Sequence, residues 1–326
     1  MKLRALTYFV LNAKKVGKVS DELSSLKLDL WSRRIALPPT SPEISISKLA
    51  EVPSNREIIY SLFHLKGSDR RLSEVRDLLK SVPNAFGSIL LQGPEEIEGA
   101  NRLLKDLEPG EATRLLLLLG EEFLLTPYFP AACAQEKEGI GVALLYVNDF
   151  KKGIERKALT EAESLGREAA STLRTEYLGV DPSLSPWMSE SVGKIIEVES
   201  GRIFSPGNLN AVWTINNRIW SASSSVKSIG FSELMLPVGE DDVLKMRVEE
   251  GSLSLSSLLS LTSVCAAGLD MVAVGEVDIS LILRDAMAIQ RTKRRPYGVR
   301  LIPTGLKYGD SINIDQFGRI PIVKTL

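Results

Sequence analysis

The chain has 326 residues, 44% of them hydrophobic and 25% charged, which is typical of a globular protein with a large buried core. Its formal net charge of −1 gives no indication of binding to nucleic acid or to an anionic membrane. With one histidine and two cysteines, the usual zinc sites and disulfide frameworks are almost excluded, and a hard cation on carboxylates would be the more plausible metal.

Strand and helix patterns alternate along the first half of the chain. In chain order we predict strand 2–10, helix 19–34, strand 56–65, helix 68–82, strand 86–93, helix 94–107 and strands 113–120 and 139–149. The stretch ALPPTSP at 36–42 interrupts the first helix–strand pair, because prolines break regular structure.

The second half is richer in helices. We predict helices 161–178, 191–200, 208–223, 239–251 and 252–264, strand 269–275, helix 278–291, strand 298–305 and a hairpin over 310–324 that turns near Gln316–Phe317–Gly318. Alternation of this kind indicates an α/β fold whose parallel or mixed sheet is covered by helices, in one domain over residues 1–326. Many such units could close into a barrel.

Targeting and cofactor signals are missing from the sequence. No stretch has the roughly 18 uninterrupted apolar residues of a membrane span, and the N-terminus lacks the apolar core of a secretory signal. We therefore expect a cytoplasmic protein and, from base rates, a homodimer. Neither a P-loop nor a strand–GxGxxG–helix unit occurs, so the sequence predicts no nucleotide cofactor and leaves any other cofactor unknown.

A thiol and a carboxylate flank the junction SVCAAGLDMVAVG, where a predicted helix gives way to a strand. Cys265 closes the helix, Gly268 can cap it, and Asp270 starts the strand. A lone cysteine is usually a small buried hydrophobe. The functional alternative is a reactive thiol at a strand end, with Asp270 as an acid/base group. The lone histidine, His64, lies in an apolar strand, and we expect it to be buried and hydrogen-bonded.

Other polar residues are candidates for the same site. Asp181 lies in the proline-braced loop GVDPSLSP, where it is either an acid/base group or a plain turn residue. Asn210 and Asn217 are seven positions apart, so they share one helical face that either lines a polar pocket or lies exposed.

The basic run RTKRRPYGVR, at 291–300, follows the end of a predicted helix. It is either a solvated loop or an oligomer contact, or else a site at which Arg295 or Arg300 binds phosphate or carboxylate. Nucleic acid is a poorer interpretation, because no second basic stripe with interleaved aromatics accompanies it.

Several blocks of the sequence resemble the family called Domain of Unknown Function 711. They are LRALTYFV, TPYFPAAC, GVDPSLSP and, most clearly, the stretch from GEDDVLKMRVEEG at 239 to GVRLIPTGLKYGDS near 310. The resemblance implies a closed barrel of parallel or mixed strands surrounded by helices, similar to the ten-stranded barrel of pyruvate formate-lyase-type glycyl radical enzymes. It implies no reaction, since the family is biochemically uncharacterised.

The chain departs from that family's usual pattern at AVGEVD and at RTKRRPYG. Its C-terminal hairpin glycine, Gly318, is followed by arginine, so we expect the scaffold without glycyl radical chemistry. Two functional hypotheses follow. One is an enzyme acting on a small polar or anionic metabolite at the barrel mouth, through Cys265, Asp270 and Asp181. The other is a non-catalytic ligand-binding or assembly protein on the same scaffold.

Overall fold

One large sheet organises the molecule. The structure, a computed structural model, describes residues 1–264 and 267–325. Its strands are β1 (Lys2–Phe9), β2 (Leu30–Ala36), β3 (Ile58–Lys66), β4 (Ala85–Leu91), β5 (Leu115–Leu119), β6 (Gly139–Leu145), β7 (Glu176–Asp181), β8 (Gly268–Val274) and β9 (Tyr297–Pro303). They are hydrogen-bonded in the order β7-β6-β1-β2-β3-β4-β5-β9-β8.

The sheet consists of two sets of parallel strands that run in opposite directions. Strands β1 to β5 are parallel to one another. Strand β6 pairs antiparallel to β1, and β9 pairs antiparallel to β5, while β7 and β8 continue parallel to β6 and β9. The predicted mixed α/β sheet is therefore confirmed.

The two edge strands, β7 and β8, are not paired with each other in the described part of the chain. Between them lies the segment 228–237, which makes only single bridges: Ser228 to Val180, Leu234 to Leu184 and Pro237 to Asp270. Within residues 1–264 and 267–325, the structure therefore shows a large, mostly parallel sheet. It does not show a continuous closed barrel.

Helices surround the sheet. They are α1 (Val16–Ser25), α2 (Val75–Ser81), α3 (Ile97–Asp106), α4 (Pro109–Ala112), α5 (Val147–Lys151), α6 (Glu155–Thr172), α7 (Val192–Ser200), α8 (Asn208–Ser223), α9 (Asp242–Glu249), α10 (Leu255–Thr262) and α11 (Ile279–Lys293). Short 3₁₀ turns cover Ala13–Lys15, Ile46–Glu51, Arg70–Glu74, Pro94–Glu96 and Val238–Glu240. None of the described helices is both long and apolar enough to span a membrane.

Strand β5 shows how the sheet divides the interior. Its sequence is LLLLL, and all five side chains are buried, as expected for a strand covered on both faces. Leu115, Leu117 and Leu119 belong to the main core between sheet and helices. Leu116 and Leu118 point to the opposite face, where a smaller cluster includes Tyr128 and Phe231. This second face is the one on which the candidate site lies.

The prediction of one helix over 19–34 is wrong. Helix α1 ends at Ser25, and Leu30–Ala36 form β2, which pairs with β1 and β3. Pairing between two neighbouring strands outweighs local helical spacing here. The helix predicted over 161–178 likewise ends early, at Thr172, because β7 begins at Glu176.

A hairpin ends the chain, as predicted. Strands β10 (Ser311–Ile314) and β11 (Gly318–Pro321) pair antiparallel, and Gly318 adopts a positive φ of 65°, which glycine tolerates without strain. The tip is fixed to the body of the protein, because Lys245 Nζ donates to the Phe317 carbonyl at 2.8 Å.

Candidate functional site

A cavity of about 200 Å³ opens on the inner face of the sheet. Seven strands, the segment 128–131 and the hairpin tip all contribute to its wall. Roughly a third of its lining residues are aromatic, against 6% of the whole chain, so the wall is unusually aromatic. The described lining residues are Arg4, Trp31, Ser32, Arg34, Ile59, Phe86, Leu116, Tyr128, Phe129, Pro130, Ala131, Ser185, Trp187, Phe231, Met235, Glu240, Ala267, Asp270, Arg300, Gln316 and Phe317.

A chain of ion pairs crosses this cavity. Glu240 accepts from Arg4 Nη2 at 2.5 Å through one carboxylate oxygen and from Arg300 Nη2 at 2.9 Å through the other. Arg300 also binds Asp270, with Nε to Oδ1 at 2.6 Å and Nη2 to Oδ2 at 3.0 Å. The remaining donors of Arg4 Nη1 reach Ser185 Oγ and the Pro186 carbonyl. Four residues from distant parts of the chain therefore form one hydrogen-bonded network.

Burial and ion pairing shift the pKa values of Glu240 and Arg300 in opposite directions. Burial alone would raise the pKa of Glu240, but Arg4 and Arg300 hold it below its usual value. Burial alone would lower the pKa of Arg300, yet Asp270 and Glu240 raise it above its usual value. Both groups are consequently ionised at neutral pH. Such pairs persist in a low-dielectric interior only when their geometry and hydrogen bonds are good.

The position of Glu240 is set by its neighbour. Asp241 is fully buried and caps two helices: it accepts from the backbone amides of Val192 and Gly193 at the start of α7, and from those of Val243 and Leu244 at the start of α9. An acidic cap that satisfies otherwise unpaired helix amides is strongly favoured. This double cap holds the turn Val238–Glu240 against the sheet.

Arg34 differs from the other two arginines of the cavity. It is 9% exposed, yet no carboxylate pairs with it among the described residues. Its Nε donates to Ser32 Oγ at 2.9 Å and its Nη1 to the Pro127 carbonyl at 3.3 Å, while its Nη2 has no hydrogen-bond partner in the described structure. Burial, with the nearby charge of Arg4, lowers the pKa of Arg34 to about 9.

Aromatic rings lie close to the guanidinium groups of Arg34 and Arg4. The guanidinium carbon of Arg34 lies 5.1 Å from the ring centroid of Phe129. That of Arg4 lies 5.2 Å from Trp31 and 5.7 Å from Trp187. These distances are within the range of cation–π attraction, which stabilises a cation where water is scarce.

Counted together, the charged groups of the cavity do not balance. Three guanidinium groups, Arg4, Arg34 and Arg300, face two carboxylates, Glu240 and Asp270. Within the described residues the wall therefore carries one excess positive charge, and Arg34 is the arginine without a partner acid. A buried charge without a partner is costly, so the site is chemically complementary to one negative charge.

Comparison with known protein families identifies the family of this chain. A family model described as Uncharacterised ACR (DUF711) matches residues 131–315, which is more than half of the chain. The chain belongs to the DUF711 family. Glu240, Asp270 and Arg300 lie inside the matched region, and Arg4 and Arg34 lie before it.

Named relatives of this DUF711 protein are UPF0210 proteins. One from Methanococcoides burtonii is 35% identical over 173 residues, which make up 50% of this chain and 38% of that protein. One from a Thermoanaerobacter species is 32% identical over 189 residues, or 55% of this chain and 42% of that protein. One from Pyrobaculum arsenaticum is 33% identical over 172 residues, covering 49% and 38%. The matched part of the chain thus spans about two fifths of the length of these relatives.

Of the residues predicted to form a site, the structure brings two together. Asp270 and Arg300 both line the cavity and bind each other. Cys265 lies outside the described residues; Ala267, two positions later, lines the cavity. The other cysteine, Cys133, is fully buried, and burial raises its pKa.

Asp181 is not at the cavity wall. Its carboxylate is fully buried and accepts five hydrogen bonds, from Ser183 N, Ser183 Oγ, Ser232 N, Thr126 Oγ1 and Phe231 N, at 2.6–3.1 Å. Burial raises the pKa of this carboxyl, and these hydrogen bonds oppose the rise. Because both of its carboxylate oxygens accept hydrogen bonds from these groups, Asp181 connects β7 to the segments 126–128 and 230–233.

The other predicted residues lie on the surface. Asn210 and Asn217 are exposed on α8, and the Asn217 side chain donates to the Trp213 carbonyl of its own helix. Arg295 forms an ion pair with Glu233 at 2.6 Å and donates to the Phe231 carbonyl. The structure therefore does not bring these three side chains into the cavity with Asp270 and Arg300.

Arg4, Arg34 and Glu240 were missed by the sequence analysis. A signal was present for one of them: Arg4 is a charged residue inside a mostly apolar, buried strand, where arginine is rare unless paired. Arg34 gave no such signal, because β2 also contains Ser32 and Arg33 and is buried only from Arg34 onward. Glu240 gave no such signal, because it precedes two aspartates in a polar turn.

His64 is buried and hydrogen-bonded, as predicted. Its Nδ1 lies 2.8 Å from Ser88 Oγ, and burial lowers its pKa to about 3, so the ring is neutral at physiological pH. Among residues 1–264 and 267–325, no three His, Cys, Asp or Glu side chains are grouped so that they could hold a metal ion.

Asp181→Asn should destabilise the fold by about 2–4 kcal/mol, because the amide would turn an N–H group toward donors that now bind a carboxylate. Urea unfolding measures this free energy. Asp285→Asn, an exposed position on α11, is the matched control and should change it by less than about 0.5 kcal/mol. A fully stable Asp181→Asn variant would contradict the structural role.

Proposed function

We propose that this protein is an enzyme that acts on a small anionic metabolite bound in the aromatic cavity, with Arg34 as its main anion-binding group. The observation that carries the proposal is the excess of one buried arginine over the two cavity carboxylates. Charge-assisted hydrogen bonds from arginine to carboxylate or phosphate are among the strongest in proteins. Arg34 Nη2, without a partner in the described structure, is the donor available for such a bond.

The remaining charged residues have supporting roles in this proposal. Arg4 and Arg300 form ion pairs with Glu240 and Asp270, although Arg4 Nε is buried without a hydrogen-bond partner among the described residues, so they add positive potential to the cavity. Asp270 and Cys265 keep their predicted roles as acid/base group and reactive thiol. Asn210, Asn217, Arg295 and Asp181 are left out of this proposal, because they are not among the described lining residues of the cavity.

A second candidate function is a non-catalytic protein that retains the same anion. One observation favours it: both cavity carboxylates are engaged with arginine, so among the described residues neither is a free general base. Cys265 separates the two candidates, since only the enzyme requires it to be reactive. The expected homodimer and cytoplasmic location stay predictions from the sequence.

We also infer that the sheet closes into a ten-stranded barrel similar to that of pyruvate formate-lyase-type enzymes. Two observations support this. The segment 228–237 makes bridges both toward β7 and to β8, all of them parallel. Taken as a tenth strand, it would complete a second parallel set opposite β1 to β5. The cavity would then lie inside the barrel, which agrees with its being lined from seven strands.

Replacing Arg34 by methionine should abolish anion binding without lowering stability. We expect acetate and phosphate, titrated by calorimetry at fixed ionic strength, to bind at least about 10-fold more weakly to Arg34→Met, since one charge-assisted hydrogen bond contributes about 1.5–3 kcal/mol. The thermal midpoint should stay or rise, because removing an unpaired buried charge is not costly.

Arg33→Met is the matched control for this variant. Arg33 donates to the carbonyls of Leu23 and Leu26 at the end of α1, on the other side of the sheet from Arg34. The Arg33→Met variant should have a lower thermal midpoint than the wild type, and its affinity for acetate and phosphate should be unchanged. Equal affinities in the wild type and Arg34→Met, or no anion binding at all, would overturn the proposal.

Anion affinity should fall at alkaline pH. Because burial lowers the pKa of Arg34 to about 9, its guanidinium is protonated below that pH and loses its charge above it. The dissociation constant of acetate should therefore be nearly constant from pH 7 to about 8.5 and rise about 5-fold between pH 9 and pH 10. A flat profile to pH 10 would show that another group binds the anion.

Thiol labelling tests whether the cavity is catalytic. In the native protein near pH 7, Cys265 should react rapidly with a thiol reagent and be protected by a metabolite fraction that copurifies with it. Cys133, fully buried with a raised pKa, is the internal control and should react only after unfolding; peptide mass mapping distinguishes the two. A Cys265 as inert as Cys133 favours the non-catalytic alternative.

A further inference from the structure

Five of the seven described aromatic side chains that line the cavity are less buried than those of the core; Tyr128 and Phe231 are the buried ones. Tyr60, Phe63 and Tyr297 are among the largest fully buried side chains of the main core. Around the cavity, by contrast, Phe86, Phe129, Trp187 and Phe317 are only partly buried, and Trp31 is 38% exposed. Exposed aromatic surface gathered around one concave site marks a surface that a ligand covers.

These rings form two groups, and each contacts an arginine. The ring centroids of Phe86 and Phe129 lie 5.7 Å apart, and the guanidinium carbon of Arg34 lies 5.1 Å from the Phe129 centroid. On the other side, Trp187 lies 4.4 Å from Trp31 and 6.0 Å from Phe317, and both tryptophans lie near Arg4. An inorganic anion would use Arg34 alone and would leave both aromatic groups against water.

We propose, as an extension of the anion site proposed above and resting on it, that the ligand is a monocarboxylate with a planar apolar body about the size of one aromatic ring. The excess of one arginine matches one negative charge and not two. The size follows from the volume: the cavity measures about 200 Å³, and an apolar cavity of roughly 150 Å³ already accommodates benzene.

The donor geometry of Arg34 supports a carboxylate. A guanidinium donates hydrogen bonds from its edges, and the guanidinium carbon of Arg34 lies over the Phe129 ring, 5.1 Å from its centroid. Nε and Nη1 are directed to Ser32 and the Pro127 carbonyl, which leaves Nη2 for the ligand. The planar body then packs between the surrounding rings by offset or edge contacts.

The tip of the C-terminal hairpin supplies the cover for this body. Phe317 lines the cavity, contacts the Trp187 ring edge-on and is held through its carbonyl by Lys245. Gln316 lines the cavity beside it and is exposed on its outer side. Phe317 is therefore the residue that determines specificity for the apolar part of the ligand, whereas Arg34 binds its charge.

Calorimetry with four probes tests this proposal on the full chain at pH 7.5 and fixed ionic strength. The probes are acetate, phenylacetate, benzyl alcohol and inorganic phosphate. We expect phenylacetate to bind at least about 10-fold more tightly than acetate, because burying a phenyl group contributes about 1.5–3 kcal/mol. Benzyl alcohol and phosphate should both bind more weakly than phenylacetate, since one lacks the charge and the other lacks the ring.

Variants at the hairpin tip give the second part of the test. Phe317→Ala should weaken phenylacetate binding by about 10-fold and leave acetate binding unchanged. Phe204→Ala, at a phenylalanine that is 38% exposed away from the cavity, is the matched control and should change neither. The thermal midpoint of each variant shows that it is folded.

The outcomes separate this proposal from the anion site itself. Equal affinities for acetate and phenylacetate would overturn the aromatic part of the ligand but not the anion site. Tighter binding of phosphate than of phenylacetate would overturn the monocarboxylate but likewise not the anion site. Binding of neither carboxylate would overturn both proposals. A Phe317→Ala variant that binds phenylacetate like the wild type would remove the hairpin from the site.

Discussion

Sharing of Glu240 between two buried arginines is the interaction on which the inner face of the sheet depends. Arg4 lies on β1, Arg300 on β9, and Asp270 on β8 at the edge of the sheet. Removing one partner of such a network leaves an uncompensated buried charge, which typically costs 3–5 kcal/mol. The network therefore links β1 to β8 and β9 across the cavity.

The same inner face contains two acidic environments of opposite character. Asp181 receives five donors and has no capacity left for a ligand, so its role is to join segments of the backbone. At the cavity, donors exceed acceptors, because Arg34 has no acid among the described residues. Buried polar groups without partners reduce stability, and proteins tolerate them mainly where a ligand supplies the partner. This contrast distinguishes the structural carboxylate from the binding site proposed here.

The site combines the part of the chain that matches the DUF711 model with the part before it. Glu240, Asp270 and Arg300 lie within residues 131–315, and Arg4, Trp31 and Arg34 precede them. The aligned relatives are longer proteins, of which the match covers about two fifths. Arg34, whose Nη2 has no hydrogen-bond partner in the described structure, thus belongs to the N-terminal strands. The rest of the charged cavity wall comes from the matched region and from Arg4.

Local sequence determined most of the elements: the alternating strands, the C-terminal hairpin and the buried, hydrogen-bonded His64. These depend on side-chain spacing and on contacts between near neighbours. Asp270 was found at the start of a predicted strand, and Arg300 was found in the basic run that follows a predicted helix. Only the tertiary structure decided that 30–36 is a strand, that Asp181 is saturated and that Arg34 lacks an acid. Each of these depends on which distant groups share a buried volume, and the charge balance of that volume cannot be obtained from spacing along the chain.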